Sequence, residues 1–326
     1  MSTRQPLVLL AVAAACVATA PAAQEPAIFT FRAGFWLHLH HFLYVLGRAE
    51  ARMPDRARRA VAGAGPDQAA GLARAAPEES ATWRRAVTEY AAGPSRQDAV
   101  FDEPLRQVTS ALAPLHEHDP LPDSIPLDVR RVLERAAPVY ERLWWPEHGR
   151  RSRTFVDDLQ TWLRLEGAVI VAFVAWAYEQ QWPPAGFPVE VSAYANFAGA
   201  YSTRDRILVL SSLDPGLRDS QGLEMLFHEA MHQWDDSMLE RLKAAAARQG
   251  RPRVPDGLPH ALVFYTAGEA VRRTIPPHIP YADGNGMWKS GPMAAFKPAL
   301  DSRWRPRLRG DAGLDEALAA LVAAVP

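Results

Sequence analysis

Cysteine is nearly missing from this chain. Its 326 residues include one, Cys16, so no intramolecular disulfide can brace the fold. An excess of charge of one sign is missing too. Lysine and arginine total 36 against 37 aspartates and glutamates, a net charge of −1, which removes any electrostatic case for nucleic acid or an anionic membrane as a partner. Lysine itself is scarce, with only Lys243, Lys289 and Lys297 among the basic residues. We read the arginine and alanine richness as nucleotide-composition bias. Patches such as Arg56-Ala-Arg-Arg59 and Arg150-Arg151 then read as solvated helix faces. After the first twenty-odd residues no apolar run is long enough to cross a bilayer. The best one, residues 167–178, is 12 residues long and is closed in by Glu166 and Glu179.

What is present is ordinary globular composition, 48% hydrophobic and 22% charged, enough for one large domain or two. Residues 1–22 have the form of a secretory signal peptide: a basic start at Arg4, an apolar stretch from Leu7 to Ala18, and small residues at Ala20-Pro-Ala22. Cleavage there gives an exported protein, periplasmic or secreted, with no cysteine. Lipoprotein anchoring through Cys16 is the weaker alternative, because Ala13 is a poor residue three places before it. Residues 23–183 read as a helical N-terminal region and residues 184–326 as a second, catalytic region.

The densest chemistry lies in His228-Glu229-Ala230-Met231-His232. Four residues of α-helix turn about 400°, so the two histidines lie one above the other on one face. Two imidazoles stacked in this way can bind one tetrahedral Zn2+, and Glu229 beside them can serve as general base toward a water the metal activates. The setting supports a helix. Met225, Leu226 and Phe227 precede the motif, Trp234, Met238 and Leu239 follow it, and residues 221–248 contain no proline before Gly250.

A catalytic zinc site needs a third protein ligand. A histidine six residues after His232 is excluded, because Met238 stands there, with Asp235 where a glycine would be needed between them. A glutamate 19 residues on is excluded by Arg251. The next candidate is Glu269, 37 positions after His232, in an apolar segment opened by Pro259 and closed by Pro276 and Pro277. Burying a lone acid among Gly268, Ala270 and Val271 is costly unless it is paired or ligates a metal. His260 is the rival ligand. Nine residues before Glu269, it points to the opposite side of a regular helix, so only one of the two can reach the zinc. We prefer Glu269.

On His228-Glu229-x-x-His232 with Glu269, the chain resembles the gluzincin class of zinc metallopeptidases. His232-Gln233-Trp234 is similar to the corresponding stretch of the aminopeptidase branch, while the spacing to Glu269 is longer than in thermolysin or that branch. The resemblance covers roughly residues 188–290. It implies an α+β, predominantly helical fold with a zincin-like core, a small β-sheet and an active-site helix. It also implies His228, His232 and Glu269 as zinc ligands, Glu229 as the base, and a peptide or protein substrate.

Around that centre, Asp235 shares the face of the two histidines and can accept the free N–H of one of them; Asp236 is less well phased. Tyr265, one turn before Glu269, is a candidate donor to a developing oxyanion, with Tyr281 and His260 as competitors. Upstream, Val189, Val191 and Ala193 alternate with polar residues as in a strand. Two further short strands follow, joined by a polar turn at residues 202–205. Residues 195–201 are the candidate edge strand for adding an extended peptide to the sheet. His38, His40 and His41 read as packing residues of a helix.

These observations point to an exported zinc-dependent hydrolase, a metallopeptidase. The alternatives are an exported zincin-fold scaffold without catalysis, or a zinc hydrolase of a non-peptide amide or ester. Glu229 argues against the scaffold, since a ligand-only site has no use for it.

Overall fold

The computed structural model describes residues 27–54, 58–203 and 206–325. The expected leader, with Cys16 and the expected cleavage site, lies outside the described residues. The chain enters through a short strand, β1 (Phe29–Arg32), and then stays helical for about 150 residues: α1 (Phe35–Glu50), α2 (Ala64–Leu72), α3 (Pro77–Ala92), α4 (Glu103–Leu112), α5 (Leu127–Leu143), α6 (Trp145–Trp162) and α7 (Ala168–Tyr178). Helices α6 and α7 are one continuous rod, joined by a π-helical turn at Leu163–Gly167. Three strands follow, β2 (Phe187–Ser192), β3 (Ala200–Ser202) and β4 (Leu208–Ser211), then α8 (Ser220–Met231), α9 (Asp235–Arg248) and α10 (Leu258–Thr274). Short helices α11 (Tyr281–Gly284), α12 (Lys297–Ala299) and α13 (Arg305–Arg309) lead to the last helix, α14 (Leu314–Ala324). The protein is therefore mostly helical with one small mixed sheet, an α+β architecture.

The sheet order is β1-β2-β4-β3. Strands β1, β2 and β4 are parallel, with Phe29 opposite Phe187 and Val189 opposite Leu208, whereas β3 is antiparallel to β4 with Ala200 opposite Leu210. The central strands are buried on both faces, as parallel strands covered by helices must be. The antiparallel β3 is the outer strand on its side. It is shorter than the edge expected over residues 195–201. Residues 196–199 form a turn in which the Asn196 side-chain oxygen accepts from the amides of Ala198 and Gly199.

Packing does not divide the chain at residue 183, as the sequence suggests. One apolar core gathers α1–α5 with Trp144, Ala193 and Tyr194. The other gathers Phe29, α6, α7, one face of the sheet and everything from α8 onward. The reason is the sheet. Strand β1 pairs with β2, and Ile170, Val174, Ala177 and Tyr178 of α7 pack with α10. The seam therefore lies near residue 144, and the first strand belongs with the C-terminal body.

A candidate metal centre between two antiparallel helices

Helix α8 carries the motif, but the helix expected across residues 221–248 is broken in two. It ends at Met231, His232–Trp234 form a turn of 3-10 helix, and α9 begins at Asp235. Trp234, at φ −108 and ψ 5, supplies the bend. The bend brings the first residue of α9 back beneath the second histidine, so that His232 Nδ1 donates to Asp235 Oδ2 at 2.7 Å. This is the hydrogen bond expected of Asp235. The hydrogen bond leaves Nε2 as the free ring nitrogen and fixes the tautomer.

Helix α10 runs antiparallel to α8. Near the start of α10, His260 meets the end of α8; further along, Gly268 lies against Glu224, one turn before His228. The site gathers where these helices meet. His228 Nε2 lies 3.0 Å from His232 Nε2 and 3.2 Å from His260 Nε2. Two nitrogens that share a tetrahedral ion at about 2.0–2.1 Å each are separated by about 3.3 Å, so the spacing fits one zinc.

The third member is thus His260, not Glu269. The two residues do face opposite ways, as the helical phase requires. The antiparallel packing decides between them, because Glu269 lies about 13 Å further along the axis, beyond reach of the histidines. Its carboxylate is paired with Arg272. The signal that could have found His260 is chain polarity: in an antiparallel pair the start of the second helix faces the end of the first.

Tyr265 is also turned away. Its hydroxyl donates to Asp301 Oδ1 and accepts from Arg305 Nε, both at 2.8 Å. Tyr281 is closer to the site. Its ring stacks on Phe264 with centroids 6.0 Å apart, and Phe264 lies 4.0 Å from the His228 ring and 4.7 Å from that of His260. The Tyr281 hydroxyl accepts from Arg59 Nη2 at 3.3 Å. A buried chain holds this tyrosine. Its amide donates to Glu224 Oε2 at 2.8 Å, Glu224 bonds His278 at 2.6 Å, and the other nitrogen of His278 bonds Ser220 Oγ at 2.8 Å. Phe264, Glu224 and His278 had no separate signal in the sequence. His38, His40 and His41 are buried in the other core, bonded to Ser152, Tyr90 and Tyr201, and take no part.

Glu229 is 5% exposed. Burial pushes its carboxyl up to about 7, against the pull of the His232 charge and a hydrogen bond from Ser202 of the edge strand. Burial and the neighbouring imidazoles hold His228 well below its usual range, and they take His260 down to about 4. For His232, burial opposes the charged form, but Asp235 and Glu229 outweigh it and raise the pKa. His228 and His260 are therefore neutral at ordinary pH with lone pairs free, the form that ligates a metal. One acid with a pKa near neutrality sits beside them, as general-base work requires.

Comparison with family models, curated proteins and solved structures finds no match to this chain. A second group, Glu117, His118 and Glu141, also has ligand atoms within 4.8 Å of one another. It is largely solvent-exposed.

Proposed function

We propose that this protein is a zinc-dependent hydrolase that cleaves peptide bonds, with His228, His232 and His260 as ligands and Glu229 as general base. The observation that carries the reading is the convergence of three imidazole nitrogens from two helices, with a buried carboxyl tuned to about 7 alongside. Three nitrogen donors are the donor set of a catalytic zinc with a fourth position open. Bound there, zinc would polarise a scissile carbonyl and acidify a water molecule.

The chain's own residues do the rest. Asp235 orients His232 and makes its Nε2 a stronger donor. Glu229 takes a proton from the attacking water and returns it to the leaving amine. Ser202 holds the Glu229 carboxyl from β3. The same strand is the outer, antiparallel member of the sheet beside the site, the position from which an extended peptide can be held by main-chain hydrogen bonds. That placement supports a zincin-like core and favours a peptide over other amides and esters. Tyr281, held by Glu224 and stacked on Phe264, is the donor placed to steady a developing oxyanion. The leader at residues 1–22 fits an exported enzyme.

The test pairs metal analysis with a peptide-library cleavage assay. Wild type should carry about one zinc per chain, and His228→Ala or His232→Ala should lose it. Glu229→Gln should keep the zinc and the melting temperature while hydrolysis falls by about 10²–10⁴, the usual contribution of a general base. Zinc binding without any cleavage would favour the scaffold reading instead.

A further inference from the structure

Helix α8 carries reactive groups at both ends. The metal centre takes its last turn. At the other end, about 12 Å away along the axis, Ser220 is the first residue of the helix. Its hydroxyl lies 2.8 Å from His278 Nδ1. The other ring nitrogen lies 2.6 Å from Glu224 Oε2, and that oxygen also accepts from the Tyr281 amide at 2.8 Å. Hydroxyl, imidazole and carboxylate are thus linked in series, the connection that activates a serine. With Glu224 accepting from Nε2–H, the lone pair of the ring is on Nδ1 and faces the hydroxyl. Either ring nitrogen can serve as base, provided that the carboxylate keeps the proton on the other. The sequence gave no hint of this, because His278 is 58 residues from Ser220.

Three further observations favour a reactive serine over a structural one. First, burial is graded. The His278 and Glu224 side chains are 0% and 1% exposed, which shields their pairing from water, while Ser220 is half-buried. Second, the chain enters α8 through a tight, strained turn. Asp219 holds φ 52 and ψ −136, a sparsely populated conformation for a residue with a Cβ, of the kind that collects at active sites. Two residues after the serine, a Cβ at Gly222 would meet the Leu217 carbonyl oxygen at 2.7 Å. A serine on a sharp turn into a helix is well placed to present its hydroxyl. Third, α8 is tied to the segment after α10 without Ser220. Gln221 donates to the Ile279 carbonyl and Glu224 accepts from the Tyr281 amide. The segment that carries His278 is also apolar and open: Ile279 is 62% exposed, and Pro276 and Pro277 are exposed before it. An apolar acyl group can rest there.

We propose that Ser220 is the nucleophile of a second centre, with His278 as its general base and Glu224 positioning the imidazole, and that this centre cleaves carboxylic esters with a small apolar acyl group. Ser220 Oγ bonds to the ester carbonyl carbon as its proton passes to His278 Nδ1. The bond to the alcohol oxygen then breaks, and the leaving alcohol takes that proton. Water adds to the acyl carbon and gives a proton to Nδ1, the bond to Oγ breaks, and Oγ recovers the proton as the acid departs. This inference does not depend on the metal centre, where water attacks directly and no covalent adduct forms.

The experiment treats the full chain with a tagged alkyl fluorophosphonate and maps the adduct by mass spectrometry. Oγ bonds to phosphorus as the P–F bond breaks and fluoride leaves, a reaction that needs an activated serine. The adduct should sit on Ser220. Ser220→Ala should give none, and His278→Gln should slow labelling by about 100-fold or more, the contribution of a general base. p-Nitrophenyl butyrate should be cleaved, and the fluorophosphonate-sensitive part of that cleavage should be missing from Ser220→Ala. No adduct on folded wild type would overturn the proposal, and so would an adduct on another serine or a labelling rate that His278→Gln leaves unchanged. An adduct at Ser220 without ester cleavage would overturn the substrate assignment. Should His278→Gln misfold, Ser220→Ala, which loses a single oxygen, decides through the ester assay.

Discussion

His260 and Glu269 stand on one helix and compete for one role, and their separate substitution tells them apart. His260→Ala should lose bound zinc, read by elemental analysis, and activity with it. Glu269→Gln should keep both, because it removes only a pairing with Arg272, an exposed contact worth about 0–1 kcal/mol. The reverse pattern would restore the glutamate ligand. Glu190 makes a second claim at this scale. It is 2% exposed on β2. Burial raises its carboxyl to about 8, opposed by the Arg32 charge and by a hydrogen bond from the Gly34 amide. Unfolded, a glutamate titrates near 4.3. Between those values the folded protein holds a proton that the unfolded chain has released. The stability contribution is therefore full below about pH 4 and is lost as pH rises to about 8. Glu190→Gln stays neutral throughout, so it should melt higher than wild type at about pH 9 and nearly with it at about pH 4. Equal melting shifts at both would contradict a buried, proton-holding Glu190.

At the scale of elements, the site depends on how closely α10 and the segment leading into α11 can approach α8. Gly268 sets that approach. A Cβ there would fall 2.6 Å from Pro280 Cβ and 3.2 Å from Glu224 Oε1. Alanine is the better helix former by about 1 kcal/mol, yet Gly268→Ala should lower stability by about 1–3 kcal/mol, because packed elements must separate. A denaturant titration checks this: a midpoint that stays or rises would show that the helices can yield. Much at this scale was legible beforehand. The motif, the apolar run around it and the prolines bracketing α10 announce two helices, and alternation at Val189 and Val191 announces a strand. The break at His232 was not legible, because no proline or glycine marks it. The third histidine was also missed, because helical phase shows which way a side chain points and not which end of the helix crosses its neighbour. Tyr265 was misjudged for a related reason: its bond to Asp301 comes from a segment 36 residues away. The bond between Asp235 and His232 was legible because i, i+3 geometry is local.

For the whole molecule, the candidate metal centre joins two helices of one core, so an ion bound there should add to global stability by mass action. Zinc at 100 times its dissociation constant should contribute about 2.7 kcal/mol. The melting temperature should fall on treatment with a chelator and return on adding zinc, and His260→Ala should be indifferent to both. A melt unmoved by chelation in wild type would argue that the three histidines hold no ion.

The parallel pairing of Phe29 with Phe187 also imposes an order of events in time. The first strand of the sheet waits for a partner 158 residues away. At about 5–20 residues per second of synthesis, that delay is roughly 8–30 s, long enough for the intervening helices of the N-terminal core to close. Contacts so distant in sequence are slow to form because a long loop must be ordered before it gains anything. Strand β1 is therefore the late-docking strand, and until it docks the edge of β2 stays open. Agents that trap nascent chains should find that edge bare after the helical core has already become resistant to protease.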